Sequence, residues 1–109
     1  MNHRFLPLST IRRYEALARS RKVSEVARGP GGFLPAYKRA GSATALPDYW
    51  RRKREAFIAR HMAQVEQRNE PLWNLDGRPS RRHLALIMWA YSPAAFADLV
   101  VSHAGRMAT

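Results

Sequence analysis

Residues 48–68, DYWRRKREAFIARHMAQVEQR, carry the plainest helical signal in the chain. At about 100° per residue, Trp50, Phe57, Ile58, His61, Met62 and Val65 fall on one arc. Arg52, Lys53, Arg60 and Gln67 occupy much of the opposite arc. Asp48 stands where an N-cap is wanted, with Pro47 just outside. Residues 80–91, SRRHLALIMWAY, form a second helix behind a Ser80 cap. Its Leu84, Leu86, Ile87, Met88, Trp89 and Tyr91 point in all directions, which predicts a central buried helix. Ser92-Pro93 opens a last helix over 93–107, with Phe96, Leu99, Val100, His103 and Met107 as its stripe.

Working towards the N-terminus, the spacing predicts helix over 9–28, capped by Ser9 or Thr10, with Ile11, Tyr14, Leu17 and Ala18 on one face. Val23 and Val26 fall off that face, so a break near residues 20–22 and a short second helix over 23–28 are expected. Gly29-Pro30-Gly31-Gly32 ends it. Residues 33–40 make another short helix, with Pro35 in its first turn. Residues 69–79 form a connector that turns at Asp76-Gly77, with Leu72 and Trp73 tucked onto the core. Alternation is weak and β-branched residues are sparse. The expected fold is therefore all-α: one small helical domain over 1–109, with four to six helices and no significant sheet. Residues 48–107 supply the core helices, and 9–54 the basic helices and loops.

Charge is the outlier. The 109 residues hold 19 Lys plus Arg against 8 Asp plus Glu, a formal net charge of +11. The imbalance sits in the first half. Residues 1–54 hold 13 Lys or Arg against 3 acids, and residues 55–109 hold 6 against 5. All but Lys22, Lys38 and Lys53 are arginine, whose planar fork pairs bidentately with phosphate. A genomic codon bias raises Arg over Lys equally well. The clusters are Arg12-Arg13, Arg19/Arg21/Lys22, Lys38-Arg39 and Arg51-Arg52-Lys53-Arg54, with Arg60 further along. Tyr14, Tyr37, Tyr49 and Trp50 stand among them. Cations that displace counterions and rings that stack on bases suit a polyanion. The plainer alternative is a solvated charged surface with its aromatics turned inward.

Other chemistries find little support. With no cysteine there is no disulfide, thiolate nucleophile or Cys-type zinc site, which suits a cytoplasmic location. The N-terminal apolar stretch is broken by Pro7 and followed by Arg12-Arg13, unlike a secretory signal. Residues 84–101 approach the length of a membrane span, but Asp98 and Ser92-Pro93 argue for two helices instead. His3, His61, His83 and His103 show no metal-ligand spacing. His61 and His83 could form a metal-free ribonuclease pair, a reading without positive support. No Gly-x-Ser-x-Gly elbow or phosphate-binding Gly-Lys-Ser/Thr loop occurs, and no cofactor is implied.

Residues 23–39 resemble a helix-turn-helix in outline, and IRRYE at 11–15 is similar to a fragment of some helix-turn-helix regulators. The resemblance would make Lys38 and Arg39 the first base-contacting residues. The outline departs from the motif in its four-residue turn, in Pro35, and in Tyr37 at a position usually held by a small packing residue.

The sequence favours non-enzymatic binding of nucleic acid, DNA or RNA, through phosphate contacts, as a regulator or accessory factor. The rival is a protein-binding inhibitor or adaptor, such as a mobile element could use against a host nucleoprotein complex in the manner of an anti-CRISPR. No membrane partner is expected, and oligomeric state is open. Replacing Arg51, Arg52, Lys53 and Arg54 by Gln is expected to leave the fold largely intact, because cations at a helix N-terminus oppose its dipole.

Overall fold

The computed structural model describes residues 3–94; beyond its first two residues, the helix expected over 93–107, with His103, lies outside the described residues. Five helical segments follow one another: α1 Leu8–Ser20, α2 Glu25–Arg28, α3 Phe33–Ala40, α4 Asp48–Arg68 and α5 Arg81–Met88. The architecture is all-α. The described residues contain no strand, only an isolated bridge between Trp73 and Pro79. α5 packs on α1 and α4, while α3 packs on α2 and α4.

The helix starts follow local chemistry with two corrections. Ser80 caps α5 as expected, its hydroxyl accepting from the His83 N–H at 3.2 Å. For α1, Pro7 and not Ser9 or Thr10 takes the N-cap position, and the Pro7 carbonyl accepts from Thr10 and Ile11. Thr10 is buried one turn inside. Pro47 does the same for α4, receiving Trp50 and Arg51, so Asp48 becomes a first-turn residue paired with Arg52 at 3.7 Å. In both cases the fixed φ of proline pre-sets the entry, and no side chain closes the cap.

The break after α1 falls where the spacing placed it. Lys22 takes φ 55°, and the Val23 N–H reaches back to the Ala18 carbonyl at 2.9 Å. α5 stops at Met88, three residues short of expectation, because Ala90 adopts φ 61° and Tyr91 N–H closes onto Leu86. Among the described residues no helix is long and apolar enough to cross a membrane.

The core corrects the expected division of labour. Ile11, Tyr14, Ala18, Val23, Phe33, Leu34, Tyr37 and Leu46 are buried together with Leu84, Ile87 and Met88. The basic half therefore builds much of the interior. Its helices keep arginines on one face and bury the other.

Gly32 shows how tightly α2 and α3 meet. Its φ of −94° suits any residue, yet a Cβ there would lie 2.1 Å from the Val26 carbonyl oxygen and 2.4 Å from that of Ala27. Gly32→Ala is expected to cost about 1–3 kcal/mol, as overpacking does. Urea denaturation measures it, and a neutral result would mean that α2 shifts freely. Gly41 has a different task. It ends α3 at φ 79°, where a side chain would be strained.

Arg54 is the largest departure from the sequence reading. It is fully buried, and all five of its N–H groups are used. Nε donates to the Trp89 carbonyl at 2.7 Å. Nη1 donates to the His3 carbonyl at 2.9 Å and to Glu55 Oε2 at 3.0 Å. Nη2 donates to the Arg4 and Ala90 carbonyls, both at 2.9 Å. The guanidinium also lies over the Phe5 ring at 3.6 Å. One side chain thus joins the extended N-terminal segment, α4 and the turn after α5. Burial holds its pKa down at about 10, against the raising effect of Glu55, Tyr37 and Tyr91, so it stays charged at neutral pH. The expectation that neutralising residues 51–54 spares the fold is therefore overturned at Arg54.

Candidate nucleic-acid interface

The cations predicted to bind nucleic acid divide into three sets. On α1, Arg12 and Arg19 are seven residues apart and so share one exposed face, with Arg13 beside them. Glu15 lies between Arg12 and Arg19, and Lys38 of α3 pairs with it at 2.9 Å. That pair spans 23 residues of chain. It brings the cluster at 38–39 against the cluster at 12–19 and neutralises the acid between them. Arg12, Arg13, Arg19 and Arg39 are exposed and make no side-chain hydrogen bond or ion pair among the described residues.

The second set lies at the turn after α1. Arg21 donates weakly to the Pro79 carbonyl at 3.5 Å and approaches Asp76 at 4.0 Å. Arg81, which the sequence reading passed over, donates to the Arg21 carbonyl at 2.7 Å and the Lys22 carbonyl at 3.3 Å. The turn thus places Lys22 beside the start of α5 and extends the basic surface there.

The third set, on α4, does not join the first two as a block. Arg52 is paired with Asp48, and Lys53 sits over the Tyr49 ring at 5.3 Å. Arg51 is half-buried, and its Nε–H has no partner among the described residues. Arg60 is exposed on the far side of the helix, where it shares a shallow hollow with Lys53, Phe57 and Trp89. Arg54 is withdrawn from the interface altogether: no donor remains for a phosphate.

The aromatic residues interleaved with these cations mostly turn inward. Tyr14 and Tyr37 are buried, and the Tyr37 hydroxyl donates to the Leu6 carbonyl at 2.9 Å. Trp50 packs edge-on against Phe33. Of the four, Tyr49 alone is exposed. The helix-turn-helix outline fares no better. α2 has four residues, and α3 buries Phe33, Leu34, Ala36 and Tyr37, which leaves little surface to read a groove.

His83 on α5 and His61 on α4 form two separate sites. His83 is fully buried, with Nδ1 on the Leu72 carbonyl at 2.9 Å and Nε2 on the Ser92 hydroxyl at 2.7 Å. The carbonyl can only accept, so Nδ1 carries the proton and Nε2 accepts from Ser92. Burial pushes its pKa down to about 4, against the raising effect of the Leu72 bond. Half-buried His61 belongs to a separate network. Arg82 donates from Nε to Glu70 Oε2 at 2.9 Å and from Nη2 to Glu70 Oε1 at 3.1 Å. It also donates to Gln64 Oε1 at 2.7 Å and to His61 Nδ1 at 2.8 Å. Because arginine only donates, His61 is neutral with its proton on Nε2. Burial first, then Arg82 and Arg60, lower its pKa. The two histidines thus serve different partners. Among the described residues no three His, Asp or Glu converge as metal ligands would.

No protein-family model matches the chain, and no curated protein or solved structure matches it either.

Proposed function

We propose that this protein binds nucleic acid without catalysis, through phosphate contacts on the ridge formed by α1 and α3, as a regulatory or accessory factor in the cytoplasm. The observation that carries the reading is the meeting of Arg12 and Arg19 with Lys38 across Glu15. Two clusters far apart in sequence make one positive ridge whose intervening acid is already neutralised. Arg13, Arg39, Lys22 and Arg81 widen it. Guanidinium groups without protein partners give up nothing when they turn to phosphate, and each phosphate they meet releases condensed counterions.

Replacing Arg12, Arg13 and Arg19 together by Gln is expected to lower affinity for a DNA duplex. The slope of log affinity against log salt should shrink by about 0.9 for each phosphate that the variant no longer neutralises. Replacing Arg51, Arg52 and Lys53 should do less. Unrelated duplexes of equal length should compete within about tenfold, against the ~10³ or more of sequence-specific regulators, because phosphate contacts carry no base information. Titrations at stated salt measure all three. Unchanged affinity in the α1 variant refutes the ridge. Binding that survives moderate salt and ignores added polyanion points instead to a protein partner.

A further inference from the structure

A cavity of about 480 Å³ opens between α4, α5 and the turn after α1. That is within the roughly 300–1,000 Å³ of small-molecule sites. One wall is aromatic. Trp89 stacks on Phe33 at 4.9 Å, Phe57 on Trp89 at 4.7 Å, and His61 on Phe57 at 3.9 Å, each within 25° of parallel. His61 ends this stack: among the described residues no further ring follows it, and both His61 and Phe57 line the cavity. The wall beside His61 is polar. Arg82 grips Glu70 through two parallel bonds and orients His61 and Gln64 with its remaining bonds.

We propose that this cavity receives a single unstacked purine base, which continues the Phe33–Trp89–Phe57–His61 stack. The inference rests on the nucleic-acid reading above and adds to it a site for the base. The inventory of polar groups selects the ligand. His61 Nε2–H is a donor with no partner among the described residues. Arg82 has one N–H unspent after its four bonds. Both Glu70 oxygens keep a lone pair after accepting from Arg82. A flat ring with amino donors and ring-nitrogen acceptors complements such a set. A bare phosphate does not, because it brings no amino donors to the free lone pairs of Glu70. Arg81 lines the same cavity and adjoins Lys22, which sets a cation where the nucleotide's own phosphate would emerge. Base-on-aromatic stacking needs no partner strand, so the site suits a strand end, a loop or an extruded nucleotide.

The test uses the full chain with guanosine and adenosine monophosphate, and ribose 5-phosphate as the base-free control, followed by amide and His side-chain NMR. Saturable shifts at Phe57, His61 and Ala85 with the nucleotides, absent with ribose 5-phosphate, are expected. His61→Ala should weaken nucleotide affinity at least tenfold while leaving the duplex salt slope unchanged. His61→Phe keeps the stack without the donor, and should recover part of that affinity. Equal shifts from ribose 5-phosphate, or none at the cavity from either nucleotide, overturn the base site, whatever the duplex titrations give. Duplex binding that fails while nucleotide shifts persist removes the ridge and leaves the cavity.

Discussion

Arg54→Ala is expected to destabilise the protein by about 3–5 kcal/mol, the range found when one member of a buried ion pair is removed. The variant strips the donor from the His3, Arg4 and Trp89 carbonyls at once and leaves Glu55 without its buried cation. Ala90 keeps one bond, from the Leu6 N–H at 2.7 Å. A small domain has a total stability of roughly 5–15 kcal/mol, so the change consumes much of it. Arg54→Lys should recover only part, because an ammonium has three donors and no planar fork with which to reach four separated carbonyls. Urea denaturation at neutral pH measures both variants. A change below about 1 kcal/mol for Arg54→Ala, small beside that buried-pair range, would mean that the N-terminal segment is held by other interactions. The His3 backbone and ring bonds to Glu55, at 3.1 and 2.7 Å, are the first of those to test.

Acid should destabilise the fold well before the carboxylates titrate. His83 is buried neutral, with a folded pKa of about 4 against the ordinary 6.5. Between those values the unfolded chain binds a proton that the folded one refuses. The stabilisation is whole above pH 6.5 and drains away as pH falls towards 4. At about 1.4 kcal/mol per unit, the decline reaches about 3 kcal/mol. His61 is shifted the same way by burial and Arg82, and adds to the decline over the same descent. Glu70 is held below the ordinary carboxylate range by its Arg82 bond, so its contribution disappears at still lower pH. Unfolding free energies measured from pH 7.5 to 4 should fall steadily below about 6.5. His83→Gln should lower stability at neutral pH and flatten that slope. A flat wild-type profile down to pH 4.5 would mean that His83 titrates in contact with water, contrary to its burial.

The interior placement of Arg54 was partly visible in its spacing. It stands four residues after Trp50 and four before Ile58, on the apolar arc of α4, and its membership of a basic run hid this. Nothing comparable marked the Arg82 network. Its partners His61, Gln64 and Glu70 lie 21, 18 and 12 residues away, and no local pattern links them. Nor does apolarity fix burial in so short a helix: Val26 remains 87% exposed. The α2 segment has only four residues and buries only Ala27.

The all-α class, the bounds of α3 and α4, the break after Ser20 and the Ser80 cap were determined by the sequence itself. Each depends on residues within about one or two helical turns of one another, through periodicity, capping and chain breakers. Which cations reach solvent was decided only in three dimensions. Arg54 and Arg52 belong to one run, yet one is sealed under Phe5 and the other is exposed. Lys38 became part of the α1 ridge because α3 folds back beside Glu15. The cavity beside His61 exists because α5 sets Arg82 against the last ring of an aromatic stack. Burial and charge pairing depend on distances between elements, and those distances follow from packing the whole core.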